Sequence, residues 1–252
     1  MTGLLRPRGK VPVRFFEKTR QECWKIIVDR YPEPKDKHSF IKELVERTVA
    51  RGNKILDAGC GHRSIIRDCT QATRIGIDAV FEDVKKNDSI DFGICSNLEC
   101  FPLKDTSIDI VVSSMVFEHL RQPDVVFSEF NRVLKKGGNL IFMTPNIFSI
   151  VTIVNRMIPN WFHPSIANAL TGAQESDVFP TYYRSNSVGR LRKLLRRNGF
   201  EECDLILYQP PPYAFVFSKT ICKLAIRYYN YINHHEALRQ LRGVIISRYR
   251  KI

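Results

Sequence analysis

The stretch Asn53–Ser64, which reads Asn-Lys-Ile-Leu-Asp-Ala-Gly-Cys-Gly-His-Arg-Ser, constrains the fold more than any other part of the chain. Ile55 and Leu56 are adjacent apolar residues, as expected of a strand buried on both faces, and Asp57 places a carboxylate at its C-terminal end. Gly59 and Gly61 permit a tight turn and a close approach of backbone to a ligand. A helix is expected to begin at Ser64–Cys69. Strand, glycine turn and helix together open an α/β sheet, and ligands dock at the C-terminal ends of the strands in such sheets.

The rest of the chain supplies the sheet. Residues 1–14 read as an exposed basic arm. Two helices follow, one over Phe15–Tyr31 with Phe16, Trp24, Ile27 and Val28 apolar, the other over about Ser39–Ala50. Strand 1 is Lys54–Asp57 and strand 2 is Arg74–Asp78, which ends in a carboxylate about 20 residues past the glycines, where an acid can accept hydrogen bonds from ribose hydroxyls. Strand 3 is Phe92–Cys95, and strand 4 follows the acidic turn at Asp105 and runs to Ser114. A short helix over Met115–Leu120 and a longer one from Pro123 to Leu134 come next. Lys135–Gly138 reads as a helix cap and turn before strand 5, Asn139–Met143. From Ile147 to Trp161 the apolar positions Ile147, Ile150, Val151, Val154, Ile158 and Trp161 share one helical stripe opposite Ser149, Thr152 and Arg156, a candidate lid. The loop Asp177–Arg184 joins an acid, two phenols and a guanidinium and reads as facing a substrate. A basic helix over Ser187–Asn198 with Leu191, Leu194 and Leu195 inward leads to strand 6, about Glu202–Tyr208, and the last strand is Gly243–Tyr249. Between them, residues 213–242 form an insertion with an apolar stripe of Ala214, Phe217, Ile221, Leu224, Ala225, Tyr228 and Ile232 opposite Lys219, Lys223 and Arg227.

Asp57-Ala58-Gly59-Cys60-Gly61, with the ordered run from Asn97 to Asn146, resembles the class I S-adenosylmethionine-dependent methyltransferases, in their type-11 branch. The match covers nearly half the chain. The usual third glycine of that family's loop falls at Arg63, and the third glycine of a dinucleotide loop falls at Ser64, so both fingerprints are incomplete and the downstream run separates them. The resemblance implies a Rossmann-like, seven-stranded, mostly parallel sheet with an antiparallel last strand, helices on both faces, and helical insertions after strand 5 and between strands 6 and 7. It implies S-adenosylmethionine as cofactor, held by Asp57, Gly59, Cys60, Gly61, Asp78, Ala79, Asn97, Leu98 and Ser114. An Asp usually stands where this chain has Asn97, whose amide oxygen can still accept a hydrogen bond. His119, Asp177 and Tyr183 are the catalytic candidates, with His163 and Tyr182 as further bases; the histidine of Glu118-His119 often shapes the cofactor pocket in the family.

With 252 residues, one domain is expected: arm and helices over 1–50, a cofactor-binding core over 53–146, an insertion over 147–186 and a basic part over 187–252. The seven cysteines lack any Cys-x-x-Cys pair or zinc spacing, so free thiols and no metal are expected. No apolar run reaches transmembrane length and no leader-like apolar segment opens the chain, which points to the cytoplasm. The charge is uneven: residues 181–252 hold 14 Lys or Arg against 4 Asp or Glu, which is +10 of the total +13. An anionic membrane surface contacted peripherally, a phosphorylated substrate or nucleic acid would suit that excess. Nucleic acid is disfavoured by the lack of any recognisable RNA-binding module. The expected activity is methyl transfer to a small-molecule, sugar or lipid-linked acceptor. The alternatives are a non-catalytic cofactor-binding module on the same fold and a nucleotide-cofactor oxidoreductase.

Overall fold

The computed structural model describes residues 13–32, 36–157 and 179–252. These form two compact units, one of residues 35–210 with 236–252 and one of residues up to 34 with 211–235.

The larger unit is built on a seven-stranded sheet: β1 Lys54–Ala58, β2 Thr73–Asp78, β3 Phe92–Cys95, β4 Ile108–Ser114, β5 Leu134–Pro145, β6 Phe200–Tyr208 and β7 Val244–Lys251, in the order β3-β2-β1-β4-β5-β7-β6. The first five are parallel, while β7 runs antiparallel between β5 and β6. This is the expected Rossmann-like sheet. Alternate residues of the central strands feed two cores, which is why these strands read as unbroken apolar runs. Leu56, Val111, Leu140 and Phe142 meet α4 (Pro123–Val133) and the basic helix Val188–Arg197 on one face. Ile55, Ile110, Val112, Ile141 and Met143 meet α2 (Lys37–Thr48) on the other.

Three local expectations are corrected. No helix forms at Ser64–Cys69; turns replace it. Ser64 Oγ donates to Asp57 and its neighbour Ile66 is fully buried, which ties this segment to the end of β1. The eight residues 65–72 would rise only about 12 Å as a helix, less than the roughly 16 Å needed to run back along the five residues of β1. The turn at Lys135–Gly138 lies within β5, which starts at Leu134: Ile108 pairs Leu134 but Ile110 pairs Asn139, so these residues bulge out of the ladder with Gly137 at φ +76. After β5, helix α5 (Ile150–Met157) turns its polar side inward. Ser149 and Thr152 are buried and bonded to each other at 2.9 Å, whereas Ile153, Val154 and Met157 are exposed. The cause is the entry to the helix: Asn146 donates to the carbonyls of Gln240 and Arg242 at 2.7 and 2.9 Å and accepts the Phe148 N–H, which fixes the helix's rotation. Ile158 and Trp161, the rest of the expected stripe, lie outside the described residues, as do His163 and Asp177.

The smaller unit pairs α1 (Val13–Arg30) with Lys219–His234. With α3 at Phe81–Lys86, the basic helix Val188–Arg197 is α6 and the helix Lys219–His234 is α7. The unit's core is Cys23, Ile27, Val216, Cys222 and Ile226. The inward arc of α7 is thus Cys222, Ala225, Ile226, Tyr229 and Ile232, rotated from the stripe expected from sequence. Phe217, Ile221 and Leu224 are exposed, as are Trp24 and Val28 of α1.

Candidate active site

The C-terminal ends of β1, β2, β3 and β4 carry the expected site residues side by side. The glycine loop is stapled to the end of β2. The Ile77 carbonyl accepts the N–H groups of Gly59 and Cys60 at 2.8 and 3.0 Å, and the Asp78 carboxylate accepts the Gly61 N–H at 2.9 Å and the Val80 N–H at 3.0 Å. Asp78 therefore closes its own turn while keeping lone pairs for further donors. Asn87, which sequence reasoning missed, donates to the carbonyls of Cys60 and Gly61 at 3.3 and 2.9 Å and completes the loop's bracing. No periodicity marks such a lone amide.

Both glycines have positive φ, +81 at Gly59 and +52 at Gly61. A Cβ on Gly59 would lie 2.3 Å from Val116 Cγ2, so the packing of Val116 as well as the positive φ requires glycine here. A Cβ on Gly61 would meet nothing within 4 Å.

Asp57 is 2% exposed, and burial raises its carboxyl pKa to about 6 against the opposing hydrogen bonds from Ser64 and the Ile65 backbone. The Cys60 thiol is pushed up to about 12 by burial and by the charges of Asp57 and Asp78, so it stays protonated and is no nucleophile. Asp57, Gly59, Cys60 and Ser114 line a cavity of about 840 Å³, bounded on its other side by His38, Lys42 and Met115. Ala79, Asn97 and Leu98 sit at the neighbouring strand ends; Ser96 N–H donates to the Asp78 carbonyl at 2.9 Å. Asn97 Oδ1 accepts the Glu99 N–H at 3.1 Å, which uses one of its two acceptor positions.

Past β4 the chain turns through Met115, at φ +59, into a 3₁₀ turn over Phe117–His119. The Glu118 carbonyl accepts the N–H groups of Tyr182 and Tyr183 at 2.7 and 3.1 Å, which brings the polar aromatic loop against this turn. Tyr183 is held at φ +51, a left-handed conformation that costs a non-glycine residue about 1 kcal/mol or more. His119 Nδ1 lies 2.9 Å from the Pro180 carbonyl. A carbonyl only accepts, so Nδ1 bears the hydrogen and the lone pair of the neutral ring is on Nε2, which is 4.0 Å from Glu118 Oε1.

Glu118 is the other residue that sequence reasoning undervalued. It is 5% exposed, and burial raises its pKa above the ordinary range. Its Oε2 is 3.3 Å from Thr144 Oγ1, which in turn receives Asn186 Nδ2 at 2.6 Å. Thr144 accepts from Asn186, so its single proton is free to go to Glu118. Burial, followed by the charge of Glu118, raises the Tyr183 phenol pKa, so Tyr183 is suited to donate a hydrogen bond rather than to act as a phenolate base.

A model of the methyltransferase domain matches residues 56–142. An uncharacterised protein of Methanocaldococcus jannaschii is 25% identical over 77% of this chain and 78% of its own length. A probable S-adenosylmethionine-dependent methyltransferase of Mycolicibacterium smegmatis is 30% identical over 68% of this chain, which spans 60% of that protein's length. The solved S-adenosylmethionine-dependent methyltransferase of Mesorhizobium loti shares the fold at a TM-score of 0.54, with 15% identity over 83% of this chain and 96% of that one. With the sheet order, the glycine loop braced by Asp78 and the matched segment on the same strand ends, the chain belongs to the class I S-adenosylmethionine-dependent methyltransferases, in the type-11 family.

Proposed function

We propose that this methyltransferase acts on a small-molecule or lipid-linked acceptor, with the cofactor along the ends of β1 to β4 and the acceptor against the turn that carries Glu118 and His119. The observation that carries this reading is the adjacency of the two halves: the cavity lined by Asp57 ends at Ser114 and Met115, and the buried Glu118 follows three residues later. The residues fit the cofactor. Asp78 retains acceptor capacity for ribose hydroxyls, Asn97 and Leu98 lie at the next strand end, and Asp57 offers a buried carboxylate to a cationic ligand. When bound, S-adenosylmethionine supplies a methyl group already activated on a sulfonium, so the protein's main task is to align a nucleophile and exclude water. His119 Nε2 can take the acceptor's proton, Tyr183 can donate a hydrogen bond to the acceptor, and Glu118 can stabilise a charged His119. Asp177 keeps its proposed catalytic role on the sequence argument alone.

Calorimetric titration tests the cofactor half. S-adenosylhomocysteine should bind, NAD(H) should not, and Asp78→Ala should weaken binding by about 1.5–3 kcal/mol through loss of a charged hydrogen bond. A preference for NAD(H) would replace the reading with the oxidoreductase one. Binding without turnover on any acceptor offered would favour the binding module.

We further infer that the smaller unit meets an anionic membrane surface. Its helix α7 shows solvent Ile221 and Leu224, with the exposed Phe217 just before the helix, next to Lys223 and Arg227, and residues 211–235 contain no acid. Apolar and basic arcs side by side suit a helix lying in the headgroup plane. Among the described residues no helix is long and apolar enough to cross a membrane.

A further inference from the structure

A second cavity of about 800 Å³ in the larger unit lies between the start of α4 and one side of α6. Arg121 and Arg184 line it from the α4 side, and Arg190 and Lys193 from α6. Among the described residues none of these four has a carboxylate within ion-pair distance. The one acid on the wall, Asp124, is already bound by Arg197 and by Asn198 at 2.9 Å. Four unpaired like charges around one cavity repel one another, and an anion in their midst removes that cost. One of them is pre-positioned: Arg184 Nη1 donates to the Arg121 backbone carbonyl at 2.8 Å, which holds the Arg184 guanidinium at this wall.

We propose that this cavity binds the diphosphate group of a phosphorylated small molecule. Several guanidiniums in one place match the paired, multiply charged oxygens of a diphosphate, which a single carboxylate would not satisfy. A cavity of this size suits a small-molecule anion better than the extended backbone of a nucleic acid. Arg121 follows His119 by two residues and Arg184 follows Tyr183 directly, so the anion site adjoins the proposed acceptor side of the active site. The inference deepens the methyltransferase reading and rests on it in this one respect: the bound diphosphate is taken to be the acceptor's.

Gly189 supplies the decisive variant. It lines the cavity within α6, and a Cβ there meets nothing within 4 Å, so side chains can be added without disturbing the helix. Inorganic pyrophosphate is titrated calorimetrically into the full-length protein at low and at physiological salt, with S-adenosylhomocysteine titrated in parallel. Pyrophosphate should bind, more weakly as salt rises. Arg121→Ala and Arg190→Ala should each weaken it about tenfold or more. Gly189→Glu should abolish it and Gly189→Ala should leave it intact, while S-adenosylhomocysteine affinity stays unchanged in all four variants. Absence of pyrophosphate binding in a protein that binds S-adenosylhomocysteine normally would overturn the site and spare the methyltransferase reading. Loss of S-adenosylhomocysteine binding in the folded wild type would instead sink that reading. Pyrophosphate binding that ignores the Arg121, Arg190 and Gly189→Glu changes, or a single-stranded oligonucleotide that binds and cannot be displaced by pyrophosphate, would also refute the proposal, the latter in favour of nucleic acid.

Discussion

Asp57→Asn gives the most quantitative check on the site's electrostatics. The folded protein keeps a proton on Asp57 up to a pH of about 6, while the unfolded chain releases it near the ordinary 3.8. Below both values the two states are equally protonated and the group has no effect. Between them the folded state holds the extra proton, so the contribution of Asp57 to stability falls as pH rises. Above about 6 the penalty is complete. At 1.36 kcal/mol per pH unit it amounts to about 3 kcal/mol. The group is fully buried, so solvent screening does not reduce this appreciably. The substituted asparagine cannot ionise, its amide oxygen can still accept from Ser64 and Ile65, and its volume is nearly that of Asp, so the change should leave the fold intact. Thermal unfolding of wild type and variant from pH 4 to pH 8 is the assay, read as the difference between them. The difference cancels the acid-labile carboxylates common to both, such as Asp91 and Asp124, whose pKa values are depressed by Arg74 and Arg197. Asp57→Asn should gain on wild type as pH rises from about 4 to about 6 and hold a constant advantage above that. For a domain of this size, about 3 kcal/mol corresponds to roughly 6–12 °C. A difference that is flat with pH would show that Asp57 ionises normally in the folded protein and would remove burial as the dominant influence on it.

Gly59→Val should cost several kcal/mol of stability, about 1–3 from φ +81 alone and more from the contact with Val116, and chemical denaturation would detect it. A stable variant would mean the loop tolerates a normal φ. Tyr183→Phe should lower turnover with the true acceptor about tenfold while leaving cofactor affinity unchanged; a cofactor defect in calorimetry would place the phenol in the wrong half of the site. Cosedimentation with liposomes should rise with anionic lipid content and fall with salt, since each basic residue near such a surface contributes about 1 kcal/mol. Protein that stays in the supernatant with anionic vesicles at low salt would assign the α7 face to some other role.

The sheet was legible because its central strands are buried on both faces: Ile55-Leu56, Ile75-Gly-Ile77 and Ile110-Val-Val112 leave no other period to fit. Asp57 and Asp78 were legible because each ends such a run. The helix faces were harder. α7 carries apolar residues on more than half its circumference, and the sequence reading chose the stripe through Ile221 and Leu224; packing against Cys23 and Ile27 buries the arc of Cys222 and Ile226 instead. In α5 the apolar stripe lost to a tertiary constraint, the Asn146 amide bound to residues almost a hundred positions away. The same holds at the site. Thr144 and Asn186 matter because two distant segments bring them to Glu118, and no local pattern encodes that meeting.

The structure divides the positive charge into parts with different meanings. Most cations of β7 and of the segment between α7 and β7 face an acid where they stand: Arg248 pairs with Asp204, Arg250 with Glu201, and Arg239 and Arg242 share Glu236. Arg192 on α6 is likewise held by Glu202. Such pairs add little to any long-range field. Among the other cations, Arg121, Arg184, Arg190 and Lys193 meet at one cavity wall in the larger unit, and Lys223 and Arg227 stand on the exposed side of α7 in the smaller. Four cations at one cavity and two beside an apolar arc predict two separable, salt-sensitive interactions, so Gly189→Glu should abolish pyrophosphate binding without changing liposome binding, and Lys223→Glu with Arg227→Glu should do the reverse.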